Sequence, residues 1–246
     1  MKSYNRSLVI IAGMLILTLI INGCEKQGVE QKVNKQIRLL KHDYYKVRNS
    51  AAFALGKIGP QTKEVVPALI QALKDDFGPR SAAATALGEI GPEAKEAIPA
   101  LIQALKDEDE WLRERAATAL GEIGPDAKDA VPALVEALKD NNDGVRRYEE
   151  TWLHPKKEDG PSRLRRSIVE ALGRIGPEAK EAVPLIVRSL KDDYDPNVRV
   201  AAVEALGEIG SEATEAVPAL VEALEDYDSE VGQRAAKALK KIKGKF

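Results

Sequence analysis

The stretch that decides the fold is Thr85-Ala-Leu-Gly-Glu-Ile-Gly-Pro-Glu-Ala-Lys-Glu-Ala-Ile-Pro-Ala-Leu-Ile-Gln-Ala-Leu-Lys-Asp107. Nearly the same words run from Thr118 to Asp140, and looser copies begin near Phe53, Glu170 and Glu204. A motif recurring at a fixed interval means an array of one small unit. With the Gly of each Ala-Leu-Gly as ruler, the copies fall at Gly56, Gly88, Gly121, Gly173 and Gly207, and Lys240 stands in the sixth place. The intervals are 32, 33, 52, 34 and 33 residues.

A helix–turn–helix accounts for each unit. Val47, Ala51, Leu55 and Ile58 lie at helical spacing and predict a helix A. Gly56 and Gly59-Pro60 read as its terminators, because Gly tolerates left-handed backbone and Pro cannot continue the ladder. Val66, Leu69, Ile70 and Leu73 predict a helix B. The prolines at 67, 99, 132, 184 and 218 suit its first turn, where a missing N–H costs little. Residues such as Glu93 to Ala97 then form a short 3₁₀-like lead-in.

Composition agrees. The 246 residues are 44% hydrophobic but only 4% aromatic, so Ala and Leu supply the core of closely packed helices. The net charge of −2 is the wrong balance for nucleic acid.

Repeats of this form resemble the HEAT-like repeats of phycobilin lyases, over roughly Val29 to Ile242. The resemblance implies an all-α solenoid of about five full helix–turn–helix repeats, closed by half-repeat caps. It also implies that Asp43, Asp107, Asp140 and Asp192 bridge successive repeats through Arg48, Arg113, Arg165 and Arg199. Pro79-Arg80 and Val231-Gly232 depart from the Val-Arg pattern, which predicts a weaker ladder there. Val29, Val33, Ile37 and Leu40 read as a lone front helix B. Val231 to Ile242 reads as a lone back helix A, made polar by Lys237, Lys240, Lys241, Lys243 and Lys245.

The N-terminus differs in kind. Lys2 and Arg6 precede an uncharged apolar run from Leu8 to Ile21. Fourteen residues make about 21 Å of helix, short of a roughly 30 Å hydrocarbon core, so a secretory signal fits better than a span. Ile21, Gly23 and Cys24 resemble the lipobox of bacterial lipoproteins, with Asn22 departing from it. That resemblance implies a signal peptide over residues 1–23, a lipid on Cys24, and a short tether over 24–28. The solenoid would occupy 29–246. The expected address is extracytoplasmic, lipid-anchored to a bacterial membrane.

The 52-residue interval carries an insertion at about 141–163. It holds Val145, Tyr148, Trp152 and Leu153 on one side of a short helix, before His154-Pro155. Insertions in such arrays map to one face, often the binding face. Repeat four also places Leu185 and Arg188 on helix B where other copies carry Ala and Gln or Glu. Tyr148, Trp152, Leu185 and Arg188 are therefore the candidate contact patch for a protein partner, on the concave face or the insertion.

No catalytic constellation is visible. Two His and one Cys cannot build a clustered metal or nucleophile site, and the histidines read His42-Asp43 and His154-Pro155. The His-Glu pairs of the di-iron deoxyhypusine hydroxylases, which have similar repeats, are missing. The expectation is a binding scaffold with no cofactor and no nucleic acid. The alternatives are a lyase-type enzyme or accessory protein binding a bulky ligand such as a bilin, or a purely structural envelope spacer.

Overall fold

The computed structural model describes residues 27–59, 63–75, 78–142 and 160–244. Among them every regular element is helical, in the order the repeat predicts. Helix α1 covers residues 27–39. Five A–B pairs follow: α2 (Tyr45–Ile58) with α3 (Val65–Lys74), α4 (Arg80–Ile90) with α5 (Ile98–Ala104), α6 (Glu110–Ile123) with α7 (Val131–Asn142), α8 (Gly160–Ile175) with α9 (Val183–Asp192), and α10 (Pro196–Ile209) with α11 (Val217–Glu222). Helix α12 (Ser229–Lys243) closes the A layer. The fold is an all-α solenoid of helical repeats.

Each A helix stacks on the A helix of the next unit, from α2 on α4 through to α10 on α12. Each A helix also packs on the B helix of the unit before it, as α10 does on α9 and α8 on α7. One continuous core results. Ala51, Leu55, Leu69 and Leu73 are buried in it, and the half-buried Ile58 and Ile70 pack against it. Joining A to B are 3₁₀ segments, Gly91–Ala97, Gly124–Ala130, Gly176–Ala182 and Gly210–Ala216. Pro99, Pro184 and Pro218 stand in the first turn of their B helices.

The two glycines of each copy do different work, which corrects the expectation that both end helix A. Gly59, Gly91, Gly124, Gly176 and Gly210 have φ between 68° and 80° and are the true terminators. The Gly of Ala-Leu-Gly lies inside the helix, at the A–A contact. A Cβ on Gly173 would stand 2.7 Å from Ala205 Cα, and one on Gly121 would stand 2.8 Å from Ala171 Cα. These positions are glycine because two backbones meet there.

The interruption between α7 and α8 leaves this stacking intact. Helix α8 packs on α6 as each other A helix packs on its neighbour. Cys24, Tyr148 and Trp152 lie outside the described residues. Among the described residues no helix is long and apolar enough to cross a membrane.

Candidate interaction surfaces

A wired turn joins each B helix to the next A helix, and it is built from an Asp-x-Asp pattern. In Asp107-Glu-Asp109, Asp193-Tyr-Asp195 and Asp226-Tyr-Asp228, the first carboxylate accepts the backbone N–H of the second Asp at 2.8–3.0 Å. The second Asp caps the A helix, accepting from Trp111, Asn197 and Glu230 N–H at 2.9–3.0 Å. Arg113 and Arg199 then donate to the carbonyls of Asp107 and Asp193 in their own turns. Arg48 does the same to His42 and Asp43.

Between repeats, the first Asp also takes an arginine from the preceding A helix. Arg80 pairs with Asp107 at 2.6 Å, Arg165 with Asp193 at 2.6 Å, and Arg199 with Asp226 at 2.9 Å. Three expectations are corrected here. The bridging residue of repeat four is Asp193 and not Asp192, because that copy is one residue longer and shifts the register. Arg80 holds its bridge despite the proline before it. Asp43 serves Arg48 of its own unit through a carbonyl, not a neighbour through its carboxylate. Arg113, facing the interruption, meets no carboxylate among the described residues.

The Arg165–Asp193 pair is the most enclosed, with both side chains only 1% exposed. Ser162 Oγ accepts a further bond from Arg165 and lies 2.8 Å from the Tyr194 hydroxyl. Burial alone would lower the Arg165 pKa, but the hydrogen bond and charge of Asp193 outweigh it and hold the guanidinium firmly protonated. Asp226 behaves alike: burial pulls its carboxyl up, and the Arg199 hydrogen bond together with the Asp228 N–H brings it below the usual value.

Three arginines lie over aromatic rings along this same edge. Arg163 is 4.2 Å from the Trp111 centroid, Arg165 is 5.5 Å from Tyr194, and Arg199 is 4.4 Å from Tyr227. Arg163 also reaches the buried Glu114 at 3.4 Å.

The B-helix face is the other surface. Its lysines pair forward with the glutamates of the next repeat, Lys106 with Glu136 at 3.5 Å and Lys191 with Glu222. In that pattern the counterpart of Lys139 is Arg188, so the alternation fails between repeats three and four. Arg188 turns instead to Asp192 on its own helix, at 3.8 Å. Leu185, expected to be exposed, is half-buried against the core. It sits one turn from Arg188 on α9, and the half-buried Val187 lies between them in sequence. An open, shallow groove of about 670 Å³ lies near the C-terminal ends of α8 and α10, lined by Pro125, Arg174, Pro177, Glu208 and Lys241 among others.

On the A-helix side, Glu170 has its pKa raised, first by burial and further by Glu204 and Glu122, against the opposing Arg166 and Arg174. The folded state therefore holds this proton more tightly than the unfolded chain does. Its contribution weakens as pH rises from the usual 4.5 through the raised value. Glu170→Gln should raise the thermal midpoint at neutral pH and flatten stability over that window. An unchanged pH profile would show that Glu170 is fully solvated.

The model of the HEAT repeats family matches residues 33–94, 77–153 and 150–239. The chain is a HEAT-repeat protein. Among solved structures this HEAT array is similar to the complex of CpcE and CpcF of phycocyanin lyase from Nostoc sp. PCC7120. There it shares 30% identity and a TM-score of 0.59, covering 85% of this chain and 76% of that one. It is similar to an engineered protein at 27% identity and TM-score 0.58, covering 86% and 96%. A designed armadillo repeat protein in complex with the peptide (KR)4 shares the fold at 22% identity and TM-score 0.58, covering 85% and 98%. A search of curated proteins returns no match.

Sequence reasoning placed the candidate patch on the insertion and the B face and passed over the turn edge. The signal was present as three Asp-x-Asp turns, two with tyrosine at the centre. Helical periodicity does not read turns.

Proposed function

We propose that this HEAT-repeat protein is a membrane-tethered extracytoplasmic scaffold that holds a protein partner on its B-helix face beside repeat four. The observation that carries the partner surface is the broken charge alternation between Lys139 and Arg188. Elsewhere Lys106 and Lys191 are neutralised by the next repeat, whereas here two cations face the same stretch beside half-buried Leu185, Val187 and Val135. An acidic, partly apolar segment satisfies both needs. The phycocyanin lyase structure that the chain resembles is itself a complex of two proteins, which supports protein pairing by this kind of array. Tyr148 and Trp152 enter this reading as contacts from the insertion, and Cys24 as the lipid-bearing anchor.

Two measurements test the two halves. Cys24→Ser should move the protein from the membrane fraction to the soluble extracytoplasmic fraction. Equal membrane retention would remove the lipoprotein reading. In-cell crosslinking should give a discrete adduct that Arg188→Glu abolishes while helical circular dichroism is retained. An adduct indifferent to Arg188→Glu would remove the B face as the binding surface.

A further inference from the structure

The turn edge offers a second surface, independent of the B face. Six aromatic side chains are described, and all six are exposed: Tyr44, Tyr45, Phe53, Trp111, Tyr194 and Tyr227. Five of them sit in or beside the turns that join B helices to A helices. A chain that buries Ala and Leu so thoroughly places its rings outside. Tyr227 is 83% exposed and Trp111 is 52% exposed, although each is already stacked on an arginine of the array. That arginine fixes the ring and covers one face. The opposite face carries the same electron-rich quadrupole and meets solvent.

Charge selects the occupant. The arginines of this edge are engaged by Asp107, Asp193 and Asp226. Exposed Asp192, Glu108 and Glu225 line the same turns, with the less exposed Glu110 beside them, and among the described residues Glu108, Glu110 and Glu225 have no ion-pair partner. An anionic edge studded with cation-binding rings repels anionic lipid and attracts cationic side chains.

We propose that the turn edge from Trp111 through Tyr194 to Tyr227 binds an extended, arginine-rich segment of a protein partner. Adjacent helices in such an array stand about 8–10 Å apart. An extended chain rises about 3.3 Å per residue, so roughly three residues span one repeat. Tyr194 and Tyr227 occupy equivalent turns one repeat apart. The segment that fits best therefore carries an arginine at every third position.

The test uses the detergent-solubilised full-length chain and a labelled peptide with four arginines, each separated by Gly-Ser. Controls have the four arginines contiguous, or glutamate in their place. Fluorescence anisotropy should show salt-sensitive binding of the spaced peptide, weaker binding of the contiguous one and none of the acidic one. Trp111→Ala and Tyr227→Ala should each weaken it by about two- to fivefold, the range for an exposed cation–π contact. Trp111→Phe and Tyr227→Phe should restore most of it, and Arg188→Glu on the B face should leave it unchanged. Tyr227 is so exposed that its truncation tests binding even if Trp111→Ala perturbs folding. The proposal is overturned if the spaced peptide does not bind, if the contiguous peptide binds equally well, or if both ring truncations leave affinity unaltered. It is also overturned if those truncations instead reduce adsorption to phosphatidylethanolamine–phosphatidylglycerol vesicles while peptide affinity stays constant.

Discussion

Replacing Asp193 by Asn should destabilise the protein by about 3–5 kcal/mol, the cost of leaving a buried charge without its partner. Arg165 is 1% exposed and donates to Asp193 through both Nε and a terminal nitrogen, at 2.6 and 3.1 Å. Asparagine keeps an oxygen for the Asp195 N–H, so the turn survives and only the charge is lost. Ser162 alone cannot hold the guanidinium. A loss of this size is a large part of an ordinary domain's stability. Because repeats couple mainly to their neighbours, it should appear as selective melting around repeats four and five. Urea denaturation with hydrogen exchange measures both. A loss below about 1 kcal/mol would mean that water reaches Arg165. The double variant Arg165→Met with Asp193→Leu should recover much of the loss, because an apolar pair of similar volume replaces a buried ion pair at little cost. Recovery would be incomplete, since the Asp195 N–H also loses its acceptor.

The second large effect concerns the A-layer glycines. Alanine for Gly173 gains about 1 kcal/mol of helix propensity, against about 1–3 kcal/mol of overpacking, so its net effect is small to moderate. Valine settles the question. It adds two further methyl groups and no helix propensity worth the name, at a site where even the Cβ lies 2.7 Å from the Ala205 backbone. Gly173→Val should cost more than about 3 kcal/mol by wedging α8 from α10. Differential scanning calorimetry on Gly173→Ala and Gly173→Val separates the terms. If valine were no worse than alanine, the helices would not be in backbone contact.

The legible part of the fold was whatever repeats with helical period. Stripes such as Val66, Leu69 and Leu73 marked the B helices, and Gly-Pro marked the breaks, because burial and backbone stereochemistry act within a few residues. The distinction between Gly56 and Gly59 was not legible. Both are glycine, yet one is required by a neighbouring helix and the other by its own positive φ. Asp192 was confused with Asp193 for a related reason: one extra residue in a turn changes which carboxylate faces inward. Leu185 looked exposed on a helical wheel, but a wheel carries no information on how far the adjacent repeats cover it. The outward rings at Trp111, Tyr194 and Tyr227 follow from turn geometry, which periodicity leaves blank.

The missing rung beside Arg113 has a mechanical meaning. Arg80, Arg165 and Arg199 each cross-link the turn edge of one unit to the next, and a bracing tie on one margin of a stack resists bending toward the opposite margin. At the passage from α6 to α8 the brace is absent among the described residues, while the A helices remain joined through Arg163–Glu114 and Arg174–Glu122. Such a joint behaves like a leaf hinge whose pin is the A layer. Thermal flexing of the whole superhelix would concentrate at that joint, so the pitch of its two halves could adjust to a curved partner without any helix unwinding.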